Sequence, residues 1–336
     1  MRKKGLLLVN TGTPDSPDIK DVRKFISEFL NDKRVIDLPW FLRKLLVNLI
    51  IVPFRTKHSA YLYKNIWTEE GSPLMVNTEK LVSGIKEFSV NNIDLYSAMR
   101  YGNPSLKKTL TEMKNKNYDE MIVFPLFPQY SSSTTGSVFS FIMKNVITWN
   151  VIPSIKLISQ FFSHPLFIEA FSDNIMQYFP DTYDHVIFSY HSLPIKHINK
   201  IHNKISYKEC NCDEIMPEHG KYCYRATCYE TTRLIAEKIN LAPDNYSTSF
   251  QSRLNKNWLA PFTDKLIEKL ASENKKRILI AAPSFVTDCL ETISEIDNEY
   301  KNLFKNAGGK ELVMVKSLNY NESWLKTIIE ITGINK

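Results

Sequence analysis

The chain has 336 residues, of which 43% are hydrophobic and 24% charged, and its formal net charge is +7 at pH 7. This composition is that of a globular protein with enough apolar residues to fill one large core or two medium ones. The positive charge is mild and spread along the chain, so it fits an anionic small molecule or a membrane surface better than a nucleic acid.

The sequence predicts neither an export signal nor a membrane span. The apolar run within the first ten residues, MRKKGLLLVN, is short and is typical of a first buried strand. The longest apolar stretch, 40–54 (WFLRKLLVNLIIVPF), is too short for a bilayer and contains Arg43, Lys44 and Pro53. The five cysteines are an odd number, which argues against a disulfide framework. We therefore expect a cytoplasmic protein, either free or attached to the membrane surface.

Short apolar segments, each ending in polar residues, recur along the chain. In chain order they cover 5–10, 95–101, 120–130, 185–192, 246–250, 277–285 and 312–319. Several lead through a loop into a helical pattern, and this alternation predicts an α/β fold with parallel sheets covered by helices on both faces. The spacing predicts two domains, 1–155 and 156–319, separated by a break near 150–155.

Two groups of candidate residues follow predicted strands, at the end of the sheet where such folds bind ligands. His191 follows the segment VIFSY, and an imidazole there can accept a proton or bind a metal. Glu291, Glu295 and Glu299 follow a later strand at a spacing of four, which on a helix places the carboxylates along one face. A loop histidine bonded to the backbone and a solvated acidic face are the structural alternatives. The other six histidines lack such a placement and are interpreted as structural or surface residues.

Further polar and aromatic residues follow other predicted strands. They lie in QYSSSTTGS (129–137), MRYGNP (99–104) and TSFQSRLNKNW (248–258). Their hydroxyl groups and arginines suit the carboxylates or phosphates of a substrate. Tyr130 and Trp258 suit the lining of a flat apolar pocket, although aromatic residues are more often part of the core.

Eight segments, taken in order, carry a family resemblance: LLLVNTGTPDSP, IIVPFR, IWTEEGSPLMV, SAMRYGNPSL, FPLFPQYSSSTTGS, FSYHSLP, SFQSRLNKNWLAPFT and PSFVTDCLETISEIDNEY. They resemble the ferrochelatases, which insert ferrous iron into a porphyrin in haem synthesis. The match runs almost from end to end and keeps the order and rough spacing of the family. The resemblance implies two Rossmann-like domains with a porphyrin cleft between them, and a C-terminal helix at 320–336 that packs on the first domain.

The same resemblance implies catalytic roles. His191 falls on the catalytic histidine of the family and Glu291 on its acidic partner, which would take up the pyrrole protons and hold the entering Fe²⁺. Glu295 and Glu299 then resemble the acidic path that leads from the site. The implied substrate is protoporphyrin IX and the product protohaem. Coproporphyrin or another tetrapyrrole is the alternative substrate, and a porphyrin carrier is the alternative of a different class.

The porphyrin contacts and the surface stretch are also implied by the resemblance. Candidates that line the pocket are Thr11, Tyr130 and Trp258, and candidates for the propionates or for positioning are Arg55, Arg100, Ser131 and Ser133. The stretch 40–54 resembles the family's lip over the cleft. Contact with a membrane surface and ordinary packing of an amphipathic helix are its two interpretations. No nucleic-acid partner is expected, and the oligomeric state is left open.

A cysteine-rich segment at about 203–228 interrupts the second domain. Cys210, Cys212, Cys223 and Cys228 fall within nineteen residues, and thiols at this density in a reducing compartment indicate a metal centre. The CxxC pairs of zinc ribbons are absent. Some bacterial ferrochelatases with a similar insertion hold a [2Fe–2S] cluster there, so the resemblance favours a cluster on these four cysteines over zinc or free thiols.

Overall fold

A computed structural model describes residues 3–88, 93–179, 182–202 and 206–335. Contacts within the chain divide it into two units. The first unit comprises Met1–Phe127, Ser132–Ser159 and Tyr320–Lys336, and the second comprises Pro128–Ser131 and Gln160–Asn319. Residues 203–205 of the predicted insertion and residue 336 of the predicted C-terminal segment lie outside the described residues.

The first unit is built on four parallel strands in the order β2-β1-β3-β4. The strands are β1 (Lys4–Asn10), β2 (Ile93–Met99), β3 (Glu120–Pro125) and β4 (Ser154–Leu157). The helices are α1 (Ile19–Leu30), α2 (Trp40–Leu45), α3 (Val52–Ile66), α4 (Pro73–Phe88), α5 (Leu106–Lys114), α6 (Thr135–Val146) and α12 (Glu322–Thr332). A π-helix, Leu46–Ile51, connects α2 to α3.

Continuous apolar runs place the central strands of this sheet in the core. Leu6, Leu7, Leu8 and Val9 of β1 are all fully buried. This pattern is expected where both faces of a parallel sheet are covered. Leu7 and Val9 belong to an apolar cluster that includes residues of α5 and α6, so these two helices cover one face.

The last helix, α12, packs against α4 within the first unit. Trp324 is fully buried, and its ring centroid lies 6.2 Å from that of Phe124 in β3. A β-carbon at Gly84 would lie 2.8 Å from Cδ1 of Leu325, so glycine at this position permits the close approach of the two helices.

The second unit has four parallel strands in the order β6-β5-β7-β8, which repeats the arrangement of the first. The strands are β5 (His185–His191), β6 (Tyr246–Gln251), β7 (Arg277–Ala281) and β8 (Glu311–Met314). The α-helices are α7 (Pro165–Met176), α8 (Ile195–Asn199), α9 (Tyr224–Lys238), α10 (Thr263–Ser272) and α11 (Lys301–Asn306). Short 3₁₀ helices cover Glu218–Tyr222 and Pro243–Asn245, and a second π-helix covers Glu291–Tyr300.

The predicted α/β class with two parallel sheets is confirmed, but two elements differ from the sequence prediction. Strand β4 starts within the segment that the sequence marks as a break. Its four residues alternate in burial at the edge of the sheet, so they form no continuous apolar run. The acidic segment is a π-helix, whose backbone hydrogen bonds span five residues rather than four.

Candidate functional site

In the second unit, the order in which the chain adds strands to the sheet reverses between β5 and β7. From β5 the chain passes to β6 on one side, and β7 then pairs with the other side of β5. Open α/β sheets bind ligands at the carboxyl ends of the strands beside such a point. His191 is the last residue of β5, and the π-helix Glu291–Tyr300 follows the loop after β7. The predicted histidine therefore ends one of the two strands that flank this point. Glu291, Glu295 and Glu299, here called the acidic row, follow the other.

His191 is half-buried and held by its backbone and its ring. Nδ1 lies 2.6 Å from the carbonyl oxygen of Ser192 and donates to it, so in the neutral form of the ring the lone pair lies on Nε2. The rings of Trp258 and Phe285 lie 6.3 and 6.4 Å from the imidazole. The hydroxyl of Tyr224 donates to the His191 carbonyl oxygen at 2.9 Å. The ring is therefore held by the backbone, with two aromatic rings beside it.

The acidic row runs from the interior towards solvent. Glu291 and Glu295 are half-buried, whereas Glu299 is exposed. Glu295 accepts hydrogen bonds from the backbone amide of Ser252 at 2.8 Å and from the hydroxyl of Tyr300 at 2.7 Å, and also from the Ser252 hydroxyl. Burial and the charge of Glu295 raise the pKa of Tyr300, so its phenol keeps the proton that it donates. Glu295 is therefore a fixed acceptor in the middle of the row.

Gln251 connects the tip of β6 to the acidic π-helix, and the sequence alone gives no sign of this role. It is 1% exposed and pairs with His191 in the β5–β6 register. Its Oε1 accepts from the Ser189 hydroxyl at 2.7 Å. Its Nε2 donates to the Glu291 carbonyl oxygen at 3.0 Å and to Oε2 of Glu295 at 3.2 Å. The amide thus holds the start of the acidic row against the strand that ends beside His191.

The remaining candidates of the second unit differ in exposure. Trp258 and Tyr130 are half-buried, and the Tyr130 ring lies 5.8 Å from that of Tyr222 in an edge-to-face arrangement. Ser131 is only 2% exposed. Trp258 is therefore the candidate of this set that the structure brings next to His191.

Among the candidates in the first unit, Arg100 is part of an internal network. Its Nη2 lies 2.6 Å from Oδ2 of Asp32, and its Nε donates to the Ser137 hydroxyl at 2.8 Å. Burial alone would raise the pKa of Asp32, but hydrogen bonds from Ser137 and the Arg34 backbone and the charge of Arg100 lower it below its ordinary value. The network borders a groove of about 440 Å³ that Lys24 and Lys44 also line.

The other candidates of the first unit differ in exposure. Thr11 and Ser133 are half-buried, and Arg55 is exposed. The Thr11 amide is held by Oδ1 of Asn10 at 2.8 Å. Arg55 on α3 can therefore reach a carboxylate in solution without giving up a buried ion pair, whereas Arg100 cannot.

The stretch 40–54 presents apolar side chains to solvent. Its exposed members are Trp40 (66%), Phe41 (62%), Leu42 (54%), Leu45 (40%), Leu49 (66%), Ile50 (53%) and Phe54 (81%). Arg43 is buried instead. Its Nε donates a hydrogen bond to the Asn31 carbonyl oxygen at 2.9 Å, and its Nη1 donates one to the Leu38 carbonyl oxygen at 2.6 Å. We call this set of seven exposed residues the apolar surface. No helix among the described residues has the length and apolar composition needed to cross a bilayer.

The four cysteines of the insertion are buried together in the second unit. Cys210 is 5% exposed and the other three are fully buried. Electrostatic interactions link Cys212 with Cys210 and Cys223, and Cys228 with Cys223 and Cys212. Burial raises the pKa of Cys212 to about 12 and also raises the pKa values of Cys223 and Cys228. Burial therefore favours the neutral thiol at Cys212, Cys223 and Cys228, and metal binding would displace those protons.

Nitrogen donors surround the sulfurs, including two histidines that the sequence interpretation left as structural or surface residues. Nε2 of His202 lies 2.8 Å from Sγ of Cys223, and Nε2 of His219 lies 3.5 Å from Sγ of Cys210. The ligand atoms of His202, Cys210 and His219 all lie within 4.8 Å of one another. Buried sulfurs with nitrogen donors fit a thiophilic metal centre, since such donors stabilise thiolates. The proximity of these two histidines to the cysteines is visible only in the folded structure.

Comparisons with known proteins agree with this fold. The ferrochelatase family model matches residues 3–334. Ferrochelatase from Legionella pneumophila (strain Corby) is 40% identical over 98% of this chain and 99% of its own, and ferrochelatase from Coxiella burnetii (strain Dugway 5J108-111) is 38% identical over 98% and 93%. The sirohydrochlorin chelatase SirB from Bacillus subtilis subspecies spizizenii in complex with cobalt has a TM-score of 0.55 at 9% identity, covering 99% of this chain and 95% of its own. SirB from Bacillus subtilis with Fe³⁺ has a TM-score of 0.53 at 11% identity, covering 98% and 96%.

The two parallel sheets and the structural neighbours define a protein of the chelatase fold. The family match and the relatives, over nearly the whole chain, place it further: it belongs to the ferrochelatase family. It is accordingly a metal-inserting lyase of haem biosynthesis, with Fe²⁺ and a porphyrin as substrates.

Proposed function

We propose that the porphyrin substrate is protoporphyrin IX and that His191 and Glu291 carry out the proton transfers of iron insertion. The observation that carries the proton-transfer role is the position of His191 at the end of β5, with Nδ1 donating to the Ser192 carbonyl oxygen, so that in the neutral ring Nε2 is the nitrogen that can accept a proton. Protoporphyrin IX is the porphyrin that the family resemblance implies. The start of the acidic π-helix follows the neighbouring strand β7.

The reaction requires proton acceptors. The two pyrrole N–H bonds of the free porphyrin break, the four ring nitrogens bind Fe²⁺, and two protons leave. Nε2 of His191 accepts a proton, and the Glu291 carboxylate is the second acceptor and a ligand for the entering Fe²⁺. Glu295 and Glu299 lead from Glu291 towards solvent, and their increasing exposure supports a path for protons or metal ions.

The porphyrin contacts remain those of the sequence prediction. Trp258 and Tyr130 offer aromatic surface to the macrocycle, and Thr11 adds a polar contact. A pocket that bends the ring exposes the nitrogen lone pairs, so binding energy favours the transition state. Candidates for the propionates are Arg55, Arg100, Ser131 and Ser133. The exposure of Arg55 favours a direct contact, whereas the ion pair with Asp32 favours a positioning role for Arg100.

The substrate assignment is tested by anaerobic insertion assays on the purified chain with Fe²⁺. We expect turnover with protoporphyrin IX and a smaller kcat/KM with coproporphyrin. A larger kcat/KM with coproporphyrin would overturn the substrate assignment. Tight porphyrin binding without metal insertion from either substrate would instead support the carrier alternative.

We also propose that the insertion holds a [2Fe–2S] cluster on Cys210, Cys212, Cys223 and Cys228. The burial of all four sulfurs and the surrounding nitrogen donors support it. Such a cluster would supply one-electron chemistry or structural order to the insertion. Iron and acid-labile sulfide, assayed with the visible spectrum of protein purified without air, test this proposal. Zinc without sulfide, or protein without metal, would favour the alternatives.

We further propose that the protein works in the cytoplasm and contacts the membrane through the apolar surface. All five cysteines are free thiols, which fits a reducing compartment. The apolar surface lies beside exposed Lys44, Arg55 and Lys57, a combination that suits the interface of an anionic membrane. Co-sedimentation with anionic vesicles, compared with neutral ones, tests the contact.

A further inference from the structure

The insertion places two histidines beside one of its cysteines. One ring nitrogen of His202, one of His219 and Sγ of Cys210 all lie within 4.8 Å of one another. Nε2 of His219 lies 3.5 Å from Sγ of Cys210, and the two imidazole rings meet edge to face with centroids 5.2 Å apart. In a tetrahedral zinc site, neighbouring ligand atoms lie about 3.5 Å apart. The three donors therefore need to close by little more than about 1 Å to hold one ion.

His202 has a buried nitrogen without a protein partner. The residue is 5% exposed, and its Nε2 lies 2.8 Å from Sγ of Cys223. Its Nδ1 is buried and has no hydrogen-bond partner among the described residues. A buried polar atom left without a partner is costly, and a bound metal would offset this cost by engaging the ring.

The backbone around His219 is fixed by a tight turn. In the short 3₁₀ helix before α9, the Gly220 amide donates to the Pro217 carbonyl oxygen at 2.8 Å, and the Cys223 amide donates to the Gly220 carbonyl oxygen at 2.9 Å. A β-carbon at Gly220 would lie 2.9 Å from Cγ of Pro217 and 3.0 Å from Cβ of Ala226, so the turn packs closely on the start of α9. The His219 side chain is exposed on this turn, which gives a metal ion access from solvent.

Cys212 has a different environment, although it lies only two residues from Cys210. Nη1 of Arg225 lies 2.8 Å from Sγ of Cys212 and donates to the Cys210 carbonyl oxygen at 3.0 Å. The guanidinium is always charged and stabilises an anionic cluster with four thiolates. A divalent cation on one thiolate and two neutral imidazoles keeps a net positive charge, so the guanidinium disfavours it beside Cys212. The insertion therefore contains two donor sets with different charge.

We propose that His202, Cys210 and His219 form a mononuclear site for a thiophilic divalent cation of the zinc type, which the insertion binds when it holds no cluster. Imidazole nitrogen and thiolate sulfur are the ligands that zinc prefers. Cys210 belongs to both donor sets, so zinc and the proposed [2Fe–2S] cluster exclude each other. The site depends neither on the cluster nor on the proposed roles of His191 and Glu291.

The experiment titrates chelator-treated protein with Zn²⁺ and with Co²⁺ under anaerobic conditions. The thiolate-to-Co²⁺ charge-transfer band counts only ions bound through sulfur, so an ion at His191 and Glu291 does not contribute to it. Loss of a second-shell partner costs about 10–100-fold in metal affinity, so loss of a ligand in His202→Asn or His219→Asn costs roughly 100-fold or more. His58→Asn is the matched control, because His58 is exposed on α3, and it keeps the wild-type affinity.

Cys212→Ser separates this site from the proposed cluster, because it removes a cluster ligand and none of the zinc ligands. It keeps the wild-type zinc affinity and loses the iron and acid-labile sulfide of protein isolated without air. His219→Asn does the reverse. Loss of zinc binding in Cys212→Ser, with wild-type binding in both histidine variants, would overturn the site and place zinc on the four cysteines. Absence of iron and sulfide in wild type would overturn the cluster alone, since the zinc titration is independent of it.

X-ray absorption of wild type loaded with one equivalent of zinc tests the ligands without a variant. The spectrum should show scattering from two imidazole rings together with sulfur at about 2.3 Å. A shell of sulfur alone, or zinc bound without sulfur, would overturn the proposal.

Discussion

Replacing Gln251 by leucine tests how the acidic row is held beside His191. Leucine has a similar size but no amide, so the change removes three hydrogen bonds, to Ser189, to the Glu291 carbonyl oxygen and to Glu295. A neutral hydrogen bond contributes about 1 kcal/mol and one to a carboxylate about 1.5 kcal/mol, so Gln251→Leu should lower the free energy of unfolding by about 3.5 kcal/mol.

The activity of this variant should fall as well, since the start of the π-helix loses its contact with β6. We expect kcat for iron insertion to fall more than tenfold, with a smaller change in the KM for porphyrin. Urea denaturation gives the stability and an anaerobic insertion assay gives the kinetics. Ser249→Ala is the control, because Ser249 lies on the same strand and its hydroxyl bonds only Thr263 among the described contacts, at 2.9 Å. This control should cost about 1 kcal/mol and keep the wild-type kcat.

The reasoning would be refuted if Gln251→Leu folded with the stability of Ser249→Ala and kept the wild-type kcat. In that case the position of Glu291 would not depend on the amide of Gln251. A loss of stability without a loss of kcat would also contradict the assigned role, because Gln251 would then contribute to packing alone.

Three further predictions concern other parts of the chain. Arg100→Met removes the cation that pairs with the Asp32 carboxylate, which is only 10% exposed, and should lower the free energy of unfolding by about 3 kcal/mol. Urea denaturation measures this loss. The additional change Asp32→Asn should restore part of it. Burial lowers the pKa of His185 to about 4, below its ordinary 6.5, so between these pH values only the unfolded chain takes up the proton and stability falls by up to about 3 kcal/mol as the pH decreases. His185→Asn should make the urea midpoint less dependent on pH over that range, and an unchanged dependence would contradict the assignment. Replacing Trp40 and Phe54 by serine should reduce co-sedimentation with anionic vesicles while folding stays unchanged, because both side chains are more than half exposed.

The fold was largely predictable, because parallel strands covered on both faces leave a strong mark in the sequence. The run Leu6–Val9 and the segment before His191 are continuous apolar stretches that end in polar residues. The order of the strands then places those ends at one edge of each sheet. Strand β4 escaped prediction because it has four residues, lies at an edge and alternates in burial.

The candidate site was predictable as a set of positions but not as a set of contacts. His191 and Glu291 could be proposed because they lie at or after the ends of strands and match a family pattern. Gln251 and Tyr224 could not, since their roles depend on hydrogen bonds to residues distant in sequence. A side-chain pattern also cannot predict that the segment from Glu291 is a π-helix rather than an α-helix, because the two differ in their backbone hydrogen bonds.

The exposure of the apolar surface shows a similar limit. From the sequence, the stretch 40–54 is equally compatible with a helix packed on the core and with a surface contact, because hydrophobicity alone does not indicate which side of a helix faces inward. In the structure Arg43 is buried on backbone carbonyl oxygens, while Phe41 and Phe54 are exposed. The inward position of Arg43 is accompanied by hydrogen bonds that the hydrophobicity of the segment does not reveal.

The central claim, that His191 accepts a proton during iron insertion, is tested most directly by single-turnover formation of protohaem in His191→Ala. His58→Ala serves as the control, because His58 is exposed on α3. The account predicts a fall in the insertion rate of roughly 100-fold or more in His191→Ala, typical of a lost general base, with porphyrin affinity near that of wild type. Insertion at a near wild-type rate in His191→Ala would contradict it.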